Sequence, residues 1–378
     1  MKKTALLLIV GLLFGLLLTG CGGQGADNSA ETIKIGTVFE LTGNNSALGQ
    51  STLNGIKLAV KEINAAGGVL DKQIQLINED NKSEAAEGTN ATRKLIEQDK
   101  VTAILGSVAS SSVLAAAPIA QAANVPWVAA TATNPKVTEI GDGVFRVCFI
   151  DPFQGQVVAK FAYNTLKAKK AAIMRDITSD YSKGLVEAFR KNYEGEIVGE
   201  EAYSQKDTDF NAQLTKIKSL NPDVIFVPGY YAEVGLIAKQ AKQLGIEAPL
   251  VGADGWDSPE LIKIAGDAIN GCYFSNHYTS QDTSPSVQDF VKKYQAEYNK
   301  VPDAFAALGY EAAQVLLNAI KEAGSTDGTS IKAKLAATKD FPTVTGKITL
   351  NEQRNAVKSA VMLEIKDGKQ VFIERVQP

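Results

Sequence analysis

The sequence predicts an α/β protein: two doubly wound parallel-sheet lobes joined by a three-strand hinge. Three observations carry that expectation. Short apolar runs of strand type alternate with stretches whose apolar residues recur at helical spacing. The alternation pauses at Asp151-Pro152 and starts again. Near the C-terminus the pattern changes from helix back to strand. A chain of 378 residues is long enough for two lobes of ordinary size.

The first half follows a β-α rhythm. Ile33 to Val38 alternates as a strand. Leu53, Ile56, Val60 and Ile63 then share one helical face, and Gly67-Gly68 ends that helix. Gln73 to Ile77 alternates again, and a helix is expected from about Ser83 to Gln98. Val101 to Leu105 is a buried-strand run, followed by an Ala-rich helix from Ser110 to about Ala123 and a strand at Val125 to Ala130. The second half repeats the rhythm. Helices are expected at 153–167, 182–192, 210–219 and 232–244, and strands at 171–175, 197–203, 223–227 and 250–252. Ser258-Pro259-Glu260 reads as a cap followed by proline in the first helical turn. A strand at 271–275 precedes long helices at 285–299 and 303–323. The final strands are expected at 345–350, 359–366 and 370–376, with Asp367-Gly368 as a hairpin turn.

The N-terminus stands apart. Met1-Lys2-Lys3 is basic, Ala5 to Leu18 is apolar, and small residues follow. That order describes an export signal over residues 1–20 and is too short for a comfortable membrane span. Leu18-Thr19-Gly20-Cys21 resembles the lipobox of bacterial lipoproteins. The resemblance implies cleavage before Cys21 and a diacylglycerol on its thiol. Residues 21–31 are small and polar, as a flexible tether would be. An extracytoplasmic body, lipid-anchored to the cell membrane, is the expectation.

Composition excludes several classes. The chain is 45% hydrophobic and 21% charged, so it can bury a core. Its formal charge of −3 gives no reason to expect nucleic acid. Its single histidine, His277, rules out sites that need two. There is no phosphate loop, and Gly141-Asp142-Gly143 lacks a dinucleotide fingerprint because Arg146 stands where a third glycine would. No metal-loop spacing occurs. The reading is therefore a protein without cofactor or catalysis; an exported hydrolase built on Ser182 or His277 is the weakest alternative. Cys148 and Cys272 sit in apolar runs, as buried free thiols do, although export would permit a disulfide.

In doubly wound sheets, ligands bind beyond the carboxyl ends of the strands. Those loops carry recognition chemistry. Ser110-Ser111-Ser112 opens a helix, where free N–H groups and hydroxyls suit a carboxylate; one serine alone would be a cap. Thr131-Ala132-Thr133 ends the next strand. In the second half, Tyr181, Tyr230 and Asp254 follow the strand runs at 171–175, 223–227 and 250–252, with Trp256 two residues on as a wall. Asp254 could receive an ammonium group, or could simply cap its own turn. The lysines and arginines in neighbouring motifs are Arg175 and Lys183, both in other loops.

The segment Ile33 to Gly43, with Ala65-Ala66-Gly67-Gly68 downstream, resembles the start of branched-chain amino-acid binding proteins. These are receptors of ABC importers with the type I periplasmic-binding-protein fold. Gly106 to Ser112, Thr131 to Thr133, Tyr181 with Gly184, Gly229-Tyr230 and Gly252 to Gly255 fall in family order, and the resemblance spans about residues 32–375. It implies that Ser110, Ser111 and Ser112 hold an α-carboxylate. It gives Thr131 and Thr133 contacts to carboxylate and amine, and has Tyr181, Tyr230 and Asp254 close from the other lobe. Two departures bear on specificity. Asp254 replaces the family's glutamate, and Leu48 stands where a tyrosine is usual in the first loop. The implied function is capture of a free, aliphatic amino acid by hinge closure and delivery to a membrane permease. A sensing receptor subunit, or an amide or urea ligand, is the alternative. A monomer is expected. Lobe 1 would comprise 32–151 and 278–359, and lobe 2 would comprise 152–277 and 360–378.

Overall fold

The structure, a computed structural model, describes residues 32–378. The export signal, Cys21 and the tether fall outside the described residues.

The chain opens with β1 (Ile33–Phe39), α1 (Ser46–Ala65), β2 (Ile74–Asp80), α2 (Ala85–Lys94), β3 (Ala103–Gly106), α3 (Ser110–Ala122), β4 (Trp127–Ala129), α4 (Lys136–Glu139) and β5 (Val144–Arg146). These five strands form one parallel sheet in the order β2-β1-β3-β4-β5. Buried, branched residues such as Ile35, Val38, Ile104 and Val128 explain why the strands read as apolar runs: both faces are covered.

The rhythm then repeats through α5 (Asp151–Lys160), β6 (Lys170–Asp176), α6 (Asp180–Asn192), β7 (Glu196–Tyr203), α7 (Asn211–Ser219), β8 (Val224–Phe226), α8 (Tyr231–Gln243), β9 (Leu250–Gly252), α9 (Pro259–Ala265) and β10 (Cys272–Asn276). The parallel part of the second sheet runs β7-β6-β8-β9-β10, the same winding as the first. Ser258 caps α9 by accepting from Glu260 N at 3.2 Å, with Pro259 in the first turn, as the sequence predicts.

The chain next supplies α10 (Pro285–Tyr298), α11 (Ala304–Ala323) and α12 (Gly328–Ala336), then the small hairpin β11 (Phe341–Thr343) and β12 (Gly346–Ile348). Helix α11 packs along α1 on the first sheet. The chain finishes with β13 (Ala360–Lys366) and β14 (Lys369–Val376), which join the second sheet. This last pair is antiparallel, so the second sheet is mixed rather than wholly parallel. Its turn at Asp367-Gly368 has both residues at positive φ, which is the hairpin chemistry the dipeptide signals. The expected helices at 83–98 and 153–167 each end in a wider π-turn, Leu95–Asp99 and Phe161–Thr165.

Both sheets have a switch point between their first and third strands in chain order. There the connections leave in opposite directions and open a crevice. In the first sheet the switch lies between β1 and β3, and in the second between β6 and β8.

Candidate functional site

The loop after β1 places Glu40 at the first switch point, fully buried. Its carboxylate accepts from Ser107 Oγ (3.0 Å), Val108 N (2.9 Å) and Ala109 N (3.1 Å). Glu40 therefore fastens the turn that leads into α3. Sequence reasoning missed this residue. Its signal was an isolated glutamate between apolar residues at a strand end.

The serines that open α3 divide their work. Ser110 Oγ accepts from Asn134 N at 3.2 Å and ties α3 to the loop after β4. Ser111 Oγ accepts from Asp180 N (3.0 Å) and donates to Asp180 Oδ2 (2.9 Å), reaching the start of α6. Ser112, the third of the run, is buried. The loop after β4 is gripped from behind by Arg146, which is fully buried. Its guanidinium donates to the carbonyls of Ala132 (2.9 Å), Asn134 (2.7 Å) and Pro135 (3.1 Å). The hydroxyls of Thr131 and Thr133 are buried and unpartnered.

Asp151, at the start of α5, was read only as a boundary. Its N–H donates to Thr133 O at 3.0 Å, but neither carboxylate oxygen is in a hydrogen bond. Burial pushes this carboxyl up to about 8; the nearby Thr133 hydroxyl and Arg146 oppose the shift, and Asp254 adds to it.

Three loops of the second sheet complete the site. Tyr181, in the first turn of α6, donates from its hydroxyl to Asp254 Oδ1 at 2.7 Å and accepts from Gly255 N at 3.0 Å. Tyr230 stacks on Tyr181 with ring centroids 5.1 Å apart. Burial raises both phenols well above their ordinary range. A β-carbon on Gly255 would lie 2.8 Å from Gly229 O and 3.0 Å from Tyr230 Cδ1, so this close approach requires glycine.

Asp254 is buried at the centre. Besides Tyr181, its Oδ1 accepts from Gln154 Nε2 at 2.8 Å, and its Oδ2 faces His277 Nε2 at 3.1 Å. The sequence offered Arg175 and Lys183 as nearby cations, yet Arg175 pairs with Glu200 and Lys183 with Asp180. Instead the neighbours are Gln154 and His277, which no spacing announced. The turn-capping alternative for Asp254 is only part of the picture: Asp257 N does bond Asp254, but through the backbone carbonyl. The carboxylate is spent on residues from other elements.

Trp256 shares the short turn of Asp254. It is fully buried, donates from Nε1 to Val227 O at 3.0 Å and lies beneath Gly252. It anchors the Asp254 loop to the core. Leu48 is fully buried in the first turn of α1. Ser182 Oγ accepts from Asp176 N, whereas His277 faces Asp254, so they form no nucleophile–base pair. Cys148 and Cys272 are both free and buried. Burial pushes their thiols up to about 12 and about 11, so they are inert rather than reactive.

Further contacts join loops of the two sheets. Asn44 Nδ2 donates to Glu233 Oε1 at 2.5 Å, Lys206 pairs with Glu84, and Asn134 Nδ2 donates to Asp180 O at 2.8 Å. A cavity of about 750 Å³ opens beside the site, lined by Asn134, Asp180, Gly184 and Phe153 among others; the recognition residues named above do not line it.

Two like-wound sheets that bring their switch points together around buried polar groups define a two-sheet ligand-binding protein of the α/β class. The periplasmic binding protein family matches residues 32–370, and the chain belongs to it. Its fold is the type I form of that family. The chain is 34% identical over 328 residues to the Leu/Ile/Val-binding protein BraC3 of Rhizobium johnstonii, covering 85% of this chain and 88% of that one. The leucine binding protein LivK of Thermotoga maritima superposes with a TM-score of 0.88 at 40% identity, covering 92% of this chain and 99% of that one. The branched-chain amino acid transporter substrate binding protein LivJ of Streptococcus pneumoniae, solved with isoleucine, also gives 0.88, at 41% identity and with 92% and 100% covered. A more distant solute binding protein from R. palustris, solved with benzoate, gives 0.84 at 26% identity, with 92% and 97% covered.

Proposed function

We propose that this protein captures a free aliphatic amino acid between its two sheets and delivers it to the permease of an ABC importer. The observation that carries the reading is a cluster of buried polar atoms without protein partners. Among the described residues Thr131 Oγ1, Thr133 Oγ1 and both oxygens of Asp151 have no partner of good hydrogen-bond geometry, and Asp151 lies close enough to Asp254 to feel its charge. Leaving such groups unpaired costs about 1–3 kcal/mol each, more when charged. An α-amino acid supplies what they lack: an ammonium for the acids and a carboxylate for the threonine hydroxyls.

In this reading Ser110, Ser111 and Ser112 with Thr133 form the carboxylate side. Thr131, Asp151 and Asp254 form the ammonium side, and Tyr181 and Tyr230 close over it. Leu48 contributes to the wall for the side chain. Residues 32–151 with 278–359 act as one lobe, and 152–277 with 360–378 swing over it, through chain crossings near 151, 277 and 359. Cys21 carries the lipid that holds the body outside the membrane, and the protein acts as a monomer without catalysis. Names of relatives such as the Leu/Ile/Val-binding protein support the branched-chain class. The benzoate complex favours a second reading, an aromatic acid. Against it, benzoate has no cation to offset Asp151 and Asp254.

A thermal-shift screen of the twenty amino acids with benzoate alongside tests the reading. A ligand at 100 times its dissociation constant adds about 2.7 kcal/mol. Stabilisation by aliphatic amino acids is the expected result; a response to benzoate alone would overturn it.

A further inference from the structure

The single histidine sits against the proposed ammonium site. The His277 ring stacks on Phe149, with centroids 3.5 Å apart and planes 20° from parallel, which fixes its rotation. Its Nε2 lies 3.1 Å from Asp254 Oδ2, and its Nδ1 is buried without a partner. Its backbone N–H donates to Asn276 Oδ1 at 2.8 Å, and Asn276 Nδ2 in turn donates to Asp257 Oδ2 at 2.8 Å. The residue follows β10 directly, where the chain leaves the second sheet for α10.

Counting lone pairs on Asp254 sharpens the point. A carboxylate offers about four acceptor positions. Tyr181 and Gln154 take both on Oδ1, and neutral His277 takes one on Oδ2 through Nε2–H. One acceptor position remains on Oδ2, enough for a single N–H of a ligand ammonium. We propose that His277 and the ligand ammonium compete for Asp254: neutral His277 positions the carboxylate for the ligand, and protonated His277 replaces the ligand as its counterion. This rests on the amino-acid reading above and adds a positioning residue with a pH dependence to it.

Asp254 and Asp257 lie on the loop after β9, Asp151 on α5, and Tyr181 and Tyr230 on the loops after β6 and β8. Cys148 lies on the segment before α5. Glu311 on α11 and Lys358 before β13 pair with each other at 2.5 Å, so they nearly cancel at His277. Burial holds the His277 imidazole below its ordinary range, opposed by Asp254. The closed protein therefore favours the neutral ring.

The probe is L-isoleucine, titrated by calorimetry at pH 7.5, 6.5 and 5.5. Competition by protonated His277 makes isoleucine bind severalfold more weakly at pH 5.5 than at pH 7.5. The variant His277→Gln keeps an N–H donor and cannot titrate, so its affinity should change less than about twofold over the same range. An unchanged wild-type affinity, or a wild-type slope retained in His277→Gln, would overturn the proposal. The wild-type protein also provides a readout that needs no variant, because its one imidazole gives an assignable NMR titration. Saturating isoleucine should lower that titration midpoint; an identical midpoint with and without isoleucine would overturn the proposal. If isoleucine does not bind at pH 7.5, both the amino-acid reading and this inference fall; if it binds without these pH effects, only the inference falls.

Discussion

Ser111 and Asp180 clasp each other across the two sheets: the serine hydroxyl accepts from Asp180 N at 3.0 Å and donates to Asp180 Oδ2 at 2.9 Å. The pair joins the first turn of α3 to the first turn of α6, so it can exist only when those elements are together. Asp180→Ala removes the carboxylate and leaves the Ser111 hydroxyl intact. Each lost hydrogen bond to a charged group is worth about 1.5–3 kcal/mol. Part of this is screened, because Asp180 is partly exposed. Ligand affinity in Asp180→Ala is expected to fall about threefold to thirtyfold, read by calorimetry. The melting temperature of the ligand-free protein should barely move, and a large fall in it would show a folding role instead.

Gly184 lies where α6 meets Asp151. A β-carbon there would stand 2.8 Å from Asp151 Oδ2 and 2.9 Å from Asn134 Nδ2. Alanine is favoured over glycine inside a helix by up to about 1 kcal/mol. Gly184→Ala is therefore expected to keep or raise ligand-free stability while obstructing closure. Small-angle scattering at saturating ligand should show less compaction than wild type. Equal compaction would mean that the neighbouring side chains give way.

Asp151 links closure to pH. Burial in the closed form puts its carboxyl at about 8, against an ordinary value of 3.8. The closed, empty protein thus holds a proton that an open or unfolded chain releases between those values. Raising the pH through that window disfavours the empty closed form, and the trend ends above about 8. Glu233, also raised by burial, acts in the same sense. His277, lowered by burial, acts oppositely, in the range below its ordinary value of 6.5. Scattering of the empty protein between pH 7 and 9 should show a shift toward the open form up to about pH 8, weakened in Asp151→Asn. A slope equal to wild type in that variant would remove Asp151 from the account.

The Lys358–Glu311 pair is a matter of stability rather than recognition. Both side chains are buried and the contact is 2.5 Å. Glu311 Oε1 also accepts from Thr345 N at 2.7 Å, which ties α11 to the β11–β12 turn. Removing one member of a buried pair typically costs about 3–5 kcal/mol. Glu311→Ala should lose stability of that order in urea unfolding, and a loss below about 1 kcal/mol would show that water reaches Lys358.

Much of the fold could be read in advance because central strands such as β3, β4, β8 and β9 are buried on both faces and helices such as α6 are amphipathic, so their apolar patterns separate them. The restart after Asp151 corresponds to a second sheet wound in the same order as the first. What escaped was short, apart from the nine-residue helix α12. The three residues of β5 and the four of α4 are too few for any period to show. In the site, Thr131, Thr133, Tyr181, Tyr230 and Asp254 were legible as strand-end residues, and the structure brings Tyr181 into contact with both Tyr230 and Asp254. Glu40, Gln154 and His277 were not, since Gln154 reaches Asp254 across 100 positions of sequence and His277 across 23. Trp256 was legible as a loop aromatic, but its direction is set by Val227 and Gly252, which no local pattern reveals.

The central claim is that the site recognises an ammonium and a carboxylate together, and the most direct measurement is calorimetry with three acids of similar size. L-Leucine carries both groups, 4-methylpentanoate lacks the ammonium, and benzoate replaces the aliphatic chain with a ring. An uncompensated buried carboxylate costs about 3–5 kcal/mol, so 4-methylpentanoate and benzoate should each bind at least about a hundredfold more weakly than leucine. Binding of either one within about threefold of leucine would contradict the account, because Asp151 and Asp254 would then have no cation to hold.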